Sequence, residues 1–301
     1  MKKSIAIIGA GPSSLMLAAM LDTNKFDVVI YEHRPAPGRK FLVAGKGGFN
    51  LTHSEATSLL ISRYTPSRFF SKIIEHFNNT DLQNWLSGNG IKTYTGTSKR
   101  IFPAKGTKPI EVLNTFLNIL DQKGICIKTK HEWKGWTKEN DLLFEHNNQE
   151  TIVKSDIIVF ALGGASWKVT GSDGTWTKSF RDKNIIIVPF LPSNCRYEIK
   201  WAKPFLELTE GKSLKNISIT CNSVEKKGEL LITKHGLEGS AIYSLSPEIR
   251  KGLLKAPFAL IFLDLKPSLT LETIRQKLRQ RGNKTFSKLL ESEMNLNTQQ
   301  L

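Results

Sequence analysis

The chain has 301 residues, 40% of them hydrophobic, and it carries a formal net charge of +16. This length suffices for one large or two ordinary domains with a sizeable core, and no apolar run is long enough to cross a bilayer. The cations are dispersed rather than gathered in one block. We therefore interpret them as a solvated surface, with an anionic cofactor or a nucleic acid as alternative reasons for the charge.

The first 32 residues predict a strand–helix–strand unit. Residues 4–8 form a continuous apolar run typical of a buried strand, and the glycines within 9–14 separate it from a helix-forming stretch over 15–21. A second strand follows over 27–32. Because the first apolar run is short and interrupted by glycine and proline, it does not fit a signal peptide. We expect a cytoplasmic protein.

Further elements follow in chain order. Periodic apolar residues predict helices within 66–88 and over 109–123. Next come a third parallel strand over 124–130, an antiparallel meander over 132–156 and a buried strand over 157–164. Beyond residue 190 the pattern changes to short strand-like pieces, and 271–301 reads as one helix. A domain boundary near residue 190 fits this change best.

The cysteines and histidines do not favour a disulfide framework or a metal site. Cys126, Cys195 and Cys221 are far apart, and none belongs to a Cys-x-x-Cys pair. The six histidines are also scattered, so we expect no bound metal.

The turn after the first strand has the pattern of a dinucleotide-binding site. Gly9 permits a tight turn, Gly11 allows a pyrophosphate to approach the backbone, and the following helix N-terminus favours negative charge. The third position of the pattern is Ser14, which is small but is not the usual glycine or alanine. Glu32 ends the second strand, where an acidic side chain accepts hydrogen bonds from an adenosine ribose. The alternative is a structural turn with a solvated glutamate.

The stretch 38–55, GRKFLVAGKGGFNLTHSE, follows the second strand and combines glycines with cations. We expect it to run along the bound dinucleotide, where Arg39 and Lys40 can contact pyrophosphate or ribityl oxygens. Asn50 and Thr52 can hydrogen-bond a polar ring edge. The alternative is a flexible basic surface loop.

This stretch, with GAGPSSL (9–15) before it, resembles the BaiN-like family of NAD(P)/FAD-dependent oxidoreductases. The similarity continues through SKRIFPAKGTKP (98–109), ALGGASWKVTGSDGTW (161–176) and KHGLEGSAIYSLS (234–246). The resemblance implies an α/β fold, with a Rossmann-like FAD-binding domain of the glutathione-reductase type and an inserted β-rich domain. It also implies FAD contacts at Gly9, Gly11, Ser13, Ser14, Glu32, Arg39, Lys40, Gly48, Asn50, Ala161, Gly163 and Gly164, and an adenine contact at Trp133.

On this basis we assign residues 1–190 to the FAD domain and 191–301 to the inserted domain. The family pattern includes a return segment to the FAD domain that this sequence does not show, so we expect a truncated member with an incomplete inserted domain.

The resemblance also implies hydride transfer from NAD(P)H through FAD to an unsaturated or carbonyl-conjugated small molecule. The stretch 38–55 contains no cysteine, which disfavours an enzyme dithiol. Lys46, beside the flavin ring, and His235, as a proton donor, are candidate catalytic residues. For these two residues the alternatives are a solvated loop lysine and a histidine with no catalytic role. The alternatives are a basic flavoprotein associated with nucleic acid and a non-catalytic remnant. We expect a small-molecule substrate rather than nucleic acid, and no membrane partner.

Overall fold

The computed structural model describes residues 1–43, 49–279, 282–283, 285–294 and 296. The chain packs as two compact units, residues 1–189 and residues 190–301, and each unit has its own β-sheet structure and hydrophobic core. In the described part of the chain, no helix combines the length and the apolar character needed to cross a bilayer.

The first unit contains parallel and antiparallel sheets with helices between them. In chain order its strands are β1 (Lys3–Ile8), β2 (Phe26–Tyr31), β3 (Thr52–His53), β4 (Thr93–Thr95), β5 (Arg100–Pro103), β6 (Cys126–Lys128), β7 (Glu132–Trp136), β8 (Leu142–His146), β9 (Gln149–Val153) and β10 (Ile157–Phe160). Its helices are α1 (Pro12–Met20), α2 (Arg39–Leu42), α3 (Thr57–Ser62), α4 (Ser67–His76), α5 (Asn79–Gly88), α6 (Pro109–Gln122) and α7 (Thr177–Asp182).

The central sheet is parallel, in the strand order β10-β1-β2-β6. Side chains of a strand alternate between the two faces, and β1 follows this rule. Ile5 and Ile7 pack in the core with α1 and α6, whereas Ala6 and Ile8 pack against Phe144 of the β7–β8–β9 meander. Both faces of the sheet are therefore covered, which explains the uninterrupted apolar sequence of β1.

The predicted meander is confirmed. Strands β7, β8 and β9 pair antiparallel, and Asn147 and Asn148 form the second turn with φ values of 52° and 62°. Asparagine tolerates this left-handed region better than most residues, so the turn follows from local sequence.

The helical region predicted within 66–88 divides into α4 and α5. The Asn78 side chain accepts a hydrogen bond from the Thr80 amide at 2.8 Å, and the Asp81 carboxylate accepts one from the Asn78 amide at 2.8 Å. This capping box starts a new helix. The nearby antiparallel sheet has the order β3-β5-β4.

The second unit is built on an antiparallel sheet in the order β11-β14-β13-β12-β15. Its strands are β11 (Tyr197–Glu198), β12 (Ser213–Cys221), β13 (Val224–Thr233), β14 (Gly236–Glu238) and β15 (Phe262–Asp264), and its helices are α8 (Lys203–Thr209), α9 (Ser240–Ser244), α10 (Ser246–Leu253), α11 (Leu271–Arg279) and α12 (Phe286–Met294). Ile217, Ile219 and Ile242 lie in its core. The single helix predicted over 271–301 is wrong: α11 and α12 are separate helices, and Gly282 between them has φ 56°.

Candidate functional site

Three parallel strands end side by side around Gly9. The Gly9 amide donates to the Tyr31 carbonyl at 2.7 Å, and the Ala161 amide donates to the Ile8 carbonyl at 2.8 Å. Gly9 has φ 100°, and a Cβ on it would lie 2.5 Å from the Ala161 oxygen. Only glycine fits here without a shift of the backbone. The carboxyl ends of β1, β2 and β10 thus form one crevice, which is where open α/β sheets bind ligands.

The N-terminus of α1 opens into this crevice with free hydrogen-bond donors. Gly11 is its N-cap and Pro12 its first residue, and no side chain caps it. The amides of Gly11, Ser13 and Ser14 donate to no acceptor among the described residues. A Cβ on Gly11 would meet no heavy atom within 4 Å, so the space above it is open. Unpaired amides at a helix N-terminus favour an anion.

Glu32 is turned toward the same glycine-rich turn. It is only 7% exposed, and its carboxylate accepts hydrogen bonds from the Ala10 and Arg34 amides, each at 2.8 Å. The His33 Nδ1 lies 2.9 Å from it. Burial raises the pKa of Glu32, but the contacts with His33, Arg34 and Ala10 outweigh burial and the pKa is lowered. The carboxylate is therefore held in its charged form beside the crevice.

Ser14 departs from the usual glycine or alanine and is accommodated. Its side chain is fully buried, and its hydroxyl donates to the Gly11 carbonyl at 2.8 Å. The hydroxyl is satisfied within the turn, so the substitution leaves the backbone amides of α1 available.

The two predicted cations of α2 have different environments. The Arg39 guanidinium has no hydrogen-bond or ion-pair partner in the described part of the chain. The Lys40 ammonium donates to the hydroxyl of Ser166 at 2.8 Å and to its carbonyl at 3.2 Å. Arg39 is thus available to an anion, whereas Lys40 holds the loop that follows β10.

That loop, residues 162–173, has a second attachment that the sequence did not suggest. Arg34 Nη2 donates to the Lys168 carbonyl at 2.9 Å. Because β1 lies between β10 and β2 in the sheet, a loop from β10 bonded to residues after β2 must pass over the end of β1. We call residues 162–173 the strap. Gly163 and Gly164 lie near its start, and a Cβ on Gly164 would meet no heavy atom within 4 Å.

Two polar atoms in this region are buried without partners. Arg34 Nε and Thr170 Oγ1 have no hydrogen-bond partner, and a native structure leaves few such groups unexplained. The open space over Gly11 and the free amides fit a polar, anionic ligand in the crevice.

The structure does not bring Trp133 together with the crevice residues described above. Its ring packs against Trp136, Phe160 and Phe180, with centroid distances of 4.8, 5.0 and 5.8 Å. Its Nε1 is buried without a partner. The adenine contact predicted for Trp133 stays a prediction.

The remaining predicted residues fall outside this constellation. Lys46 and Gly48 lie outside the described residues. Asn50 is exposed. His235 lies in the second unit, exposed, in the turn between β13 and β14, and its catalytic role stays a prediction. Among the described residues, no group of three or more His, Cys, Asp or Glu side chains is placed to hold a metal ion.

The fold and the crevice define a class, that of proteins with a Rossmann-type dinucleotide-binding domain. The chain belongs to the family described as HI0933-like protein Rossmann domain, whose model matches residues 3–295. This membership confirms both the predicted α/β Rossmann-like fold and the resemblance to the BaiN-like oxidoreductases.

Among curated proteins, the chain is similar to a 3-dehydro-bile acid delta(4,6)-reductase of Clostridium scindens. The two are 24% identical over 283 residues, covering 90% of this chain and 66% of the relative. It is also 23% identical, over 290 residues, to a ribosomal RNA dihydrouridine synthase of Haemophilus influenzae, covering 94% of this chain and 69% of the relative. The chain thus spans about two thirds of the length of these relatives.

Among solved structures, a 3-ketosteroid-delta4-(5alpha)-dehydrogenase from Rhodococcus jostii RHA1 is 11% identical with a TM-score of 0.41. The match covers 54% of this chain and 46% of that chain. A likeness at this level carries no argument about activity.

Proposed function

We propose that this chain binds FAD in the crevice at the carboxyl ends of β1, β2 and β10 and acts as a reductase. One observation carries the proposal: unpaired amides of Gly11, Ser13 and Ser14 and the buried Glu32 carboxylate face the same open turn. The amides suit a pyrophosphate and the carboxylate suits the hydroxyls of an adenosine ribose.

The residues of the crevice have different roles in binding. Gly9 and Ala161 hold the strand ends together, and Arg39 supplies a cation for the pyrophosphate. Lys40 positions the strap through Ser166. We assign the cofactor-binding role to Gly9, Gly11, Ser13, Ser14, Glu32, Arg39, Lys40, Gly48, Asn50, Trp133, Ala161, Gly163 and Gly164.

FAD, when bound, would supply the hydride-transfer chemistry, from NAD(P)H to an electron-poor carbon–carbon double bond. The curated relatives are by name a reductase and dihydrouridine synthases, which supports reduction as the reaction. The chain's own residues orient the cofactor and hold its charged groups. For Lys46 we propose a stabilising positive charge near the ring, and for His235 proton donation to the substrate.

A small unsaturated molecule is the first candidate substrate. A uridine in RNA is the second, and the net charge of +16 favours it, together with the names of the dihydrouridine synthases. Polyanion binding by a basic protein weakens steeply with salt, so the salt dependence of substrate binding separates the two candidates.

Calorimetric titration of the chain with FAD and, separately, with ADP tests the cofactor site. ADP carries the adenosine and pyrophosphate alone, so it reports on the crevice independently of the flavin ring. We expect both ligands to bind and FAD to bind more tightly. Absence of binding by both ligands to folded protein would refute the proposal. Bleaching of the bound flavin by NADH or NADPH then identifies the donor.

A further inference from the structure

The segment between Asp81 and Glu111 has an unusual charge pattern. Residues 82–110 contain no acidic side chain but do contain cations at Lys92, Lys99, Arg100, Lys105 and Lys108. We call the β4–β5 hairpin, its turn and the loop that follows it the basic hairpin. The five cations all lie within residues 92–108, and the hairpin sets them at its turn and at its open end.

The hairpin register places the cations at both ends. Tyr94 pairs with Phe102 and Thr95 with Ile101, so Lys99 and Arg100 lie at the turn. At the opposite end the Ala104 amide donates to the Lys92 carbonyl at 2.7 Å, which brings Lys92 beside Lys105. Three residues of extended strand separate the two ends by about 10 Å.

These cations have few acidic neighbours. The Glu111 carboxylate accepts a hydrogen bond from the Lys108 amide at 2.7 Å. The pKa of Glu55 is lowered by its hydrogen bond with Arg63 and, to a smaller extent, by the charge of Lys99. All five side chains belong to exposed residues, and none forms an ion pair in the described part of the chain. The contrast is Lys134 on β7, whose ammonium lies 2.9 Å from Glu132 and 3.4 Å from Glu145. An excess of positive charge on one exposed element attracts polyanions.

An exposed aromatic ring lies between the two groups of cations. Tyr94 is 41% exposed and stacks on Phe102, with a centroid distance of 5.8 Å and an angle of 28° between the rings. A Cβ on Gly96 would lie 2.9 Å from the Phe102 ring, so glycine there lets the ring pack over the turn. A supported, exposed aromatic among cations is the arrangement on which single-stranded bases stack.

The basic hairpin is continuous with the segment predicted at the flavin end of the cofactor. Thr52 of β3 pairs with Ile101 of β5, and the Leu51 amide donates to the Ile101 carbonyl at 2.8 Å. Asn50 directly precedes this contact. A polymer bound along the hairpin would therefore lie next to the 50–52 segment.

We infer that the basic hairpin binds single-stranded RNA, with Lys92, Lys99, Arg100, Lys105 and Lys108 contacting phosphates and Tyr94 stacking on a base. The role of the basic hairpin in presenting an RNA substrate to the flavin rests on the proposed function. RNA fits better than a membrane surface, because interfacial binding requires a broad apolar face, and within residues 82–110 the exposed large hydrophobic side chains are only Tyr94 and Ile110.

The test compares two charge-matched variants of the full chain by fluorescence anisotropy with a labelled oligouridylate of about 20 nucleotides. The first carries Lys92→Gln, Arg100→Gln and Lys105→Gln. The control carries Lys200→Gln, Lys215→Gln and Lys227→Gln, three exposed lysines of the second unit. Both lose three positive charges, so a difference between them reports on location rather than on net charge.

We expect the hairpin variant to bind at least about tenfold more weakly near 50 mM salt. The slope of the logarithm of the binding constant against the logarithm of the salt concentration should fall in magnitude by about 2, since each lost phosphate contact contributes about 0.7 on a single strand. The control should keep both affinity and slope. Tyr94→Ser, which changes no charge, should weaken binding several-fold at an unchanged slope, because the base loses its stacking partner.

Equal weakening of the two charge variants, or no RNA binding at low salt, would overturn the inference. So would tighter binding to anionic phosphatidylserine vesicles than to RNA. The FAD and ADP titrations are carried out on the same proteins. RNA binding through the hairpin without FAD uptake would sink the reductase proposal alone, whereas FAD uptake without RNA binding would sink the inference alone.

Discussion

Glu32 connects the end of β2 to the glycine-rich turn through the Ala10 amide. We predict that Glu32→Gln lowers the free energy of unfolding by about 2 kcal/mol, because buried hydrogen bonds to a charged group contribute about 1.5–3 kcal/mol. FAD affinity should fall by about tenfold or more. Urea denaturation and calorimetric titration measure the two effects.

The matched control is Asp27→Asn on the same strand. Asp27 is exposed and pairs with Lys2 at 3.7 Å at the far end of β2 from the crevice. Surface pairs contribute little, so this variant should resemble the wild type in both measurements. Equal behaviour of the Glu32 and Asp27 variants would contradict the role assigned to Glu32.

The lowered pKa of Glu32 predicts how its contribution depends on pH. Because the folded-state pKa lies below the ordinary value of 4.5, the stabilisation is fully present above pH 4.5 and is lost as the pH falls through the folded-state pKa. The stability difference between wild type and Glu32→Gln should therefore be constant at neutral pH and shrink in acid. A difference that grows on acidification would have the wrong sign.

Gly9 and Gly11 have different tasks, so alanine at each should have a different effect. Gly9→Ala places a Cβ 2.5 Å from the Ala161 oxygen at φ 100°, and we predict a loss of about 2 kcal/mol or more in stability. Gly11→Ala meets open space, so stability should change by less than about 1 kcal/mol. FAD and ADP affinity should nevertheless fall, since the Cβ enters the crevice. Thermal unfolding and the two titrations separate these outcomes.

At the scale of elements, the strap is held across the end of β1 by Lys40 and Arg34. Ser166→Ala removes the hydroxyl that accepts from Lys40, so we predict roughly several-fold faster tryptic cleavage after Lys168, an exposed strap residue. Ser71→Ala on α4, whose hydroxyl bonds only within its own helix, is the control. Identical cleavage of both variants and the wild type would show that the bond does not hold the strap.

Elements with strong local signals could be predicted from the sequence. The β1–α1–β2 unit, the meander and α6 are predicted from three signals in the sequence: the spacing of apolar residues, the glycines in turns and the asparagines in turns. Helices α8, α9 and α10 did not stand out, because they are short and their burial depends on contacts within the second unit. The division of 66–88 depends on the reciprocal bonds of Asn78 and Asp81, and a periodicity argument does not detect these.

At the scale of the whole molecule, the sequence indicated several residues that lie around the crevice. It did not indicate the contacts that each of these residues makes. Gly9, Gly11 and Glu32 have roles that local spacing encodes. The bond between Lys40 and Ser166 joins residues 126 positions apart, so only the fold reveals it. The cations of the basic hairpin are close together in the sequence, but only the fold sets them at its two ends, and they are five of the 43 lysine and arginine residues.

The central claim is that the open turn at the N-terminus of α1 holds the diphosphate of FAD. Calorimetric titration of the 301-residue chain and of its Gly11→Ala variant with FAD tests this claim most directly. The account predicts one bound FAD per chain and an affinity at least about tenfold weaker in the variant. No FAD binding by the folded chain, or equal binding by both proteins, would contradict it.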